Sequence, residues 1–134
     1  MELDLIVLDT SVKIDYFRKS DKANSFFERL FRFNRGFTIS VITHIKIMIG
    51  NNEAQNRIWE AILEDISLID YHFSINQTAI RIYKELKQKN RHIPFQDMAI
   101  AATAIHHNYQ LATINEKHFK NIAGIKLLTP AIFA

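Results

Sequence analysis

Cysteine is absent from the 134 residues, and glycine and proline together fill only five positions. The missing thiols exclude disulfides and thiolate metal centres, so any metal must be held by oxygen or imidazole. With so little Gly and Pro, no low-complexity tract and no internal repeat, nothing marks a linker. Residues 1–134 are therefore expected to form a single domain around one core. Long apolar runs are missing too. The run Leu5 to Leu8 follows Glu2 and Asp4, and no stretch approaches the roughly 18 to 20 apolar residues that a membrane span needs. No charged segment followed by a long apolar one opens the chain, so a signal peptide is not expected and the protein is expected to be soluble and cytoplasmic. A strong charge of one sign is also lacking. Seventeen basic and 14 acidic residues leave +3, which suits a solvated basic surface and nucleic-acid binding equally. The basic residues are nonetheless grouped: Arg18, Lys19, Lys22, Arg29, Arg32 and Arg35 in one set, and Lys84, Lys87, Lys89, Arg91 and His92 in another.

What is present alternates between short apolar runs and helical periodicity. The run LIVL at 5–8 reads as a buried strand, ended by Asp9 and Thr10, residues suited to begin a helix over 11–18. Residues 21–33 place Phe26, Phe27, Leu30 and Phe31 at helical spacing, with Asn34 and Gly36 as the stop. FTIS at 37–40 is the second strand. Ser40 is suited to cap a helix whose apolar positions Ile42, Ile45 and Ile49 share a face and which ends at Gly50. A helix over 54–65 carries Ile58, Ala61, Ile62 and Asp65; a strand near 66–70 and a helix near 76–89 with Ala79, Tyr83 and Leu86 follow. Pro94 ends any preceding helix and allows a new one at 97–107, where Met98, Ala101, Ala102 and Ile105 form a small-residue stripe. Strands at 110–113 and 125–128 close the pattern. Strands separated by helices imply an α/β layer structure with a mainly parallel sheet of about five strands.

In such a sheet, ligands bind outside the carboxyl ends of the strands. Asp9 sits there after the first strand, Ser40 and Thr43 after the second, and Thr113 and Asn115 after a later one. Asp97 lies in the first turn of the Ala-rich helix, where the helix dipole favours a carboxylate. Each residue taken singly reads more often as a cap than as a ligand.

Taken together, four ordered blocks resemble PIN domains of the VapC toxin type. VLDTSVKIDYFR at 7–18 is similar to the opening of that family, with Asp9 as the first acid and Thr10 and Ser11 behind it. SVITHIKIMIG at 40–50 resembles the second block, IPFQDMAIAATA at 93–104 the third, and LATINEKHFKNI at 111–122, followed by Gly124 and Pro130, the last. The resemblance covers nearly the whole chain. It implies a PIN-like fold and a Mg2+- or Mn2+-dependent ribonuclease acting in a toxin–antitoxin pair, with RNA as substrate, an antitoxin protein as partner and a homodimer as assembly. It implies Asp9 and Asp97 as metal ligands, with Thr10, Ser11, Thr113 and Asn115 as groups that orient ligands or substrate. Carboxylates suit the task because hard divalent cations prefer oxygen, and the bound ion activates water for attack on a phosphodiester.

The sequence departs from the family at Lys46, where the second block carries a glutamate. Lys46 falls on the apolar stripe of its helix, so its ammonium needs either a partner, with Asp9 and Asp97 the obvious ones, or a route to water along the helix edge. Two unit charges ~4 Å apart interact by about 4 kcal/mol at an effective dielectric near 20, and a dication doubles this, so exchanging a ligand for lysine turns attraction into repulsion. The family's last block often carries an acid where this chain has Asn115 or His118; Glu116 is acidic but one position displaced. Among His44, His72, His92, His106, His107 and His118, no two show the i, i+4 pairing with a helical Glu used by zinc hydrolases, and adjacent His106 and His107 are not expected to face one way. His118, near the active face, is a candidate contact to RNA phosphate or an acid. Two functions remain open: an RNA-cleaving toxin, and a catalytically inactive PIN domain that binds antitoxin or RNA. The aromatics Tyr16, Phe17, Phe26, Phe27, Phe31 and Phe33 exceed what one amphipathic helix buries, and Phe33 or its neighbours are candidates for a groove that receives an antitoxin segment.

Overall fold

Five short strands pair in parallel in the order β3-β2-β1-β4-β5 in the computed structural model, which describes residues 5–33 and 36–134. They are β1 (Ile6–Leu8), β2 (Phe37–Ser40), β3 (Ser67–Ile69), β4 (Gln110–Ala112) and β5 (Leu127–Leu128). The central strand β1 pairs Ile6 with Phe37 of β2 on one side and Leu8 with Ala112 of β4 on the other. It is buried on both faces, which is why its sequence is continuously apolar rather than alternating. The two-residue period then divides its side chains between two cores. Val7 packs with Ile82, Leu86, Ile100 and Phe119. Ile6 and Leu8 pack with Val12, Phe27, Leu30 and Ile39.

The helices that supply these cores are α1 (Thr10–Arg18), α2 (Phe26–Phe33), α3 (Val41–Gly50), α4 (Glu53–Leu63), α5 (Phe73–Gln88), α6 (Phe95–His107) and the single turn α7 (Glu116–Phe119). Eight successive residues of α6, Asp97 to Ala104, are buried. The alanines among them let the helix lie close between the sheet, α5 and α3. The α/β architecture and the five-stranded parallel sheet are those read from the sequence. None of the described helices is long and apolar enough to cross a membrane.

Four local readings need correction, one of them in α5, where Ile82 is buried beside Ala79 and Leu86 and Tyr83 is 44% exposed. Residues 21–33 do not form one helix. Asp21 accepts from the backbone of Ala23 and the side chain of Asn24, which folds Lys22–Asn24 into a separate 3-10 turn before α2 begins. This side-chain competition for backbone groups is what makes Asp and Asn poor helix interiors. The expected stop at Asn34, like Arg35, Glu2 and Asp4, lies outside the described residues. In α3 the buried side chains are Thr43 and Ile47, whereas Ile45 and Ile49 are 58% and 78% exposed. In α4 the inward residue is Trp59, with Ile58 and Ala61 at the surface.

Ser40 behaves as the sequence implies, its Oγ accepting from the Ile42 amide at 3.1 Å. Because that cap sets the start of α3, which carries Lys46, Ser40→Ala is expected to destabilise the protein by about 1 kcal/mol. Urea unfolding of the two proteins checks the value.

Candidate active site

The strand order turns at β1, whose neighbours β2 and β4 are reached by connections running in opposite directions along the sheet. Crevices outside the carboxyl ends of strands form at such a point, and it is there that Asp9 and Thr113 emerge from β1 and β4. The Asp9 amide donates to the Ala112 carbonyl at 3.0 Å, so the ladder itself holds the two residues side by side. Asp9 is buried, and its Oδ2 accepts from the Ser11 hydroxyl at 2.7 Å and the Thr113 hydroxyl at 2.9 Å. The Ser11 and Thr113 hydroxyls in turn accept from the amides of Ile114 and Asn115. Backbone amides thus fix two hydroxyls, and the hydroxyls fix one carboxylate. Thr113→Val keeps the shape but removes a donor to a buried charge, at an expected cost of roughly 1.5–3 kcal/mol; denaturant unfolding would measure it.

Asp97 arrives from the first turn of α6 and is also buried. Its Oδ2 lies 2.6 Å from Nδ1 of His118, on α7. Burial raises the Asp97 pKa above the ordinary carboxylate range; the His118 hydrogen bond opposes this, the charge of Asp9 adds to it, and Lys46 lowers it slightly. The charges of Asp9, His118 and Lys46 thus all act on Asp97. One oxygen of each aspartate, Oδ1, makes no hydrogen bond within the described residues.

The site residues expected from sequence have distinct fates. Asp9, Ser11 and Thr113 form one hydrogen-bonded unit, with Asp97 facing it. Thr10 is buried at the start of α1, but its hydroxyl has no hydrogen-bond partner among the described residues. Asn115 is exposed and contributes its backbone amide, not its side chain. Glu116, the displaced acid, is exposed on α7. Lys46 is half-buried and makes no ion pair within 4 Å among the described residues, so it does not bridge Asp9 and Asp97 directly. Its neighbour Ile47 takes the buried position and leaves Lys46 at the edge of the helix contact. His118 had been only a candidate contact; the one-turn helix α7, not foreseen in the sequence, makes it the partner of Asp97.

Two buried carboxylates, each with a free oxygen and one of them, Asp97, raised in pKa partly by the other, fit a hard divalent cation, whose charge would relieve that repulsion. Such a site would lean on water for its remaining ligands, and the positive charge of Lys46 would oppose a cation there. Beside it, a groove of about 440 Å3 runs from Ser11 and Asn115 to Arg18 and Lys19.

A family model described as PIN domain matches residues 6–125. Ribonuclease VapC1 of Methanocaldococcus jannaschii is 34% identical over 125 residues, covering 91% of this chain and 85% of the relative. Ribonuclease VapC1 of Rickettsia felis is 35% identical over 99 residues, covering 68% of this chain and 74% of the relative. Among solved structures, VapBC2 of Rickettsia felis bound to a DNA fragment from its promoter superposes with a TM-score of 0.81 at 25% identity, over 93% of this chain and 98% of that one. With a family model matching residues 6–125 and a relative 34% identical over 91% of this sequence, the chain belongs to the PIN domain family, in its VapC group.

Proposed function

We propose that the chain is an endoribonuclease toxin of a toxin–antitoxin pair that cleaves RNA phosphodiesters with Mg2+ or Mn2+ held by Asp9 and Asp97. The observation that carries this reading is the convergence of those two buried carboxylates at the turn in strand order, each with an uncommitted oxygen. When bound, the cation would supply Lewis acidity and a water made more acidic at neutral pH. The protein's own part is positioning. Ser11 and Thr113 hold the Asp9 carboxylate at one angle, and His118 does the same for Asp97. Arg18 and Lys19, at the far end of the groove, offer positive charge to RNA phosphates.

The antitoxin partner in this reading is supported by the solved VapBC neighbour. An exposed docking feature supports it too: Phe33 is 79% exposed and stacked on Phe133, beside a groove that also includes Leu30 and Ile132. Of the sequence's aromatic set, Phe26 and Phe27 are buried, Tyr16 and Phe17 half-buried and Phe31 37% exposed, which leaves Phe33 as the most exposed contact. A homodimer and a cytoplasmic location belong to the same reading.

The second reading, a PIN domain that binds antitoxin or RNA without cleaving, is favoured by Lys46, whose charge lies within reach of Asp97. Incubation of purified chain with RNA, with Mg2+, Mn2+ or chelator, separates the two. Cleavage that chelator abolishes supports the toxin; RNA retention with no cleavage in either metal supports the binding protein.

A further inference from the structure

Away from the carboxylates, three imidazoles meet where α5 begins and α6 ends. His72 is the residue preceding the first turn of α5, and His106 and His107 close α6. The ring centroids of His72 and His106 lie 5.2 Å apart, those of His106 and His107 5.0 Å, and those of His72 and His107 6.5 Å. One ring nitrogen from each falls within 4.8 Å of the other two. The expectation that adjacent His106 and His107 point apart is therefore wrong here. Successive helical residues diverge by about 100°, not 180°, and His72 sits over the angle between them.

We infer that His72, His106 and His107 form a binding site for a borderline transition-metal dication, Zn2+ being the natural occupant, separate from the carboxylate site. Imidazole nitrogens are the donors such ions favour, whereas Mg2+ and Mn2+ prefer the oxygens of Asp9 and Asp97. Tetrahedral zinc with bonds near 2.05 Å needs nitrogens about 3.3 Å apart. His72 and His106 are exposed, so a change of side-chain torsion closes the remaining gap without moving either helix.

His107 is the anchor. Its ring stacks on Tyr109 with centroids 5.4 Å apart and planes 13° from parallel, which fixes its orientation. Its Nε2 is buried with no hydrogen-bond partner among the described residues, an uncompensated polar atom that a metal bond would satisfy. Three protein nitrogens leave a fourth position for water. Asp97 and His106 are nine residues apart on α6, roughly 14 Å along the axis, so the two metal sites lie at opposite ends of one helix. Occupancy would clamp the start of α5 to the end of α6.

The test is calorimetric titration of the untagged full chain with zinc chloride, with melting curves alongside. One equivalent is expected to bind with a dissociation constant on the order of 1 μM or tighter. The melting midpoint is expected to rise by roughly 5–10 °C at a hundredfold excess over that constant. His72→Gln, His106→Gln and His107→Gln should each weaken binding at least tenfold, and Asp97→Asn should leave it within about twofold. His72 and His106 are exposed, so their variants keep the test valid if His107→Gln fails to fold. Absence of saturable binding below about 100 μM would overturn the inference. So would unchanged affinity in the histidine variants, or loss of binding in Asp97→Asn, which would place the zinc at the carboxylates instead.

Discussion

Asp97→Asn is expected to lower metal-dependent RNA cleavage about a hundredfold or more while making the metal-free protein more stable. The two effects have opposite signs because the carboxylate serves the metal at the expense of the fold. Asp97 is buried, and burial raises its pKa, with Asp9 adding to the rise against the opposing hydrogen bond from His118. A carboxyl group whose folded-state pKa is raised contributes stability below its unfolded pKa and loses that contribution as pH rises through the folded value. At neutral pH the ionised Asp97 is therefore a net cost to the metal-free fold. Asparagine keeps the volume and can still accept from His118, but carries no charge. Its melting midpoint in chelator is expected to rise by a few degrees, ~4 °C corresponding to about 1 kcal/mol in a domain of this size. The gain should shrink as pH is lowered towards the carboxylate range, where the parent's Asp97 takes up its proton. Cleavage moves the other way, since removing one of two anionic ligands leaves a dication with a single carboxylate; a hundredfold loss corresponds to ~2.7 kcal/mol of transition-state stabilisation. Melting in chelator at two pH values and RNA cleavage in Mn2+ check both halves. A variant that cleaves like its parent would remove Asp97 from the metal site, whatever its stability.

The strands are readable because each is announced locally, and so are the positions of Asp9 and Asp97, whereas their pairing as ligands rests on the family resemblance. LIVL is a short apolar run ended by Asp9, FTIS alternates Phe37 and Ile39 with Thr38 and Ser40, and both strands are buried on both faces. Asp9 follows one of them directly, and Asp97 opens a helix whose small residues require close packing. What escaped the sequence depends on partners distant along the chain. In α3, hydrophobicity favours Ile42, Ile45 and Ile49 as the inward stripe, yet the packing of α3 on α6 and α1 turns Thr43 and Ile47 inward and leaves two of the isoleucines in solvent. A buried threonine cannot be found from a pattern that counts apolar residues. The 3-10 turn at Lys22–Asn24 was missed because the competing Asp21 side chain acts within a stretch of helical periodicity. His118 carried one usable signal, its place where relatives often have an acid, but its bond to Asp97 depends on α7, a single turn too short to show periodicity. The histidine cluster shows the same limit, since rules for neighbours on a helix say nothing of a third imidazole delivered by another element.

Lys46→Glu is expected to tighten Mg2+ or Mn2+ binding at least tenfold and to raise RNA cleavage with it. The position is where the family resemblance puts a third acid, and the structure sets Lys46 half-buried on α3, near enough for its charge to lower the Asp97 pKa yet without an ion pair inside 4 Å. That placement decides the mechanism of the change. Because Lys46 makes no ion pair within 4 Å of either aspartate, it is expected to oppose a cation by its field rather than through a direct bridge between Asp9 and Asp97. A unit charge within several ångströms of a dication acts with an energy of a few kcal/mol at an effective dielectric near 20, and the exchange reverses its sign. A tenfold change requires only about 1.4 kcal/mol, so the estimate holds after heavy screening by solvent. The cost falls on the metal-free protein. Without Lys46 the pKa of Asp97 should rise further, and three acids facing one another should lower the melting midpoint in chelator, with the loss recovered on adding Mn2+. Calorimetric titration with Mn2+, melting with and without the ion, and RNA cleavage measure the three consequences separately. Asp97→Asn placed in the Lys46→Glu chain should abolish the gained cleavage, which distinguishes a rebuilt metal site from a contaminating nuclease. If Lys46→Glu changes neither Mn2+ affinity nor cleavage, then Lys46 lies too far from the carboxylates to govern them, and the match of residues 40–50 to the family's second block fails at its central position.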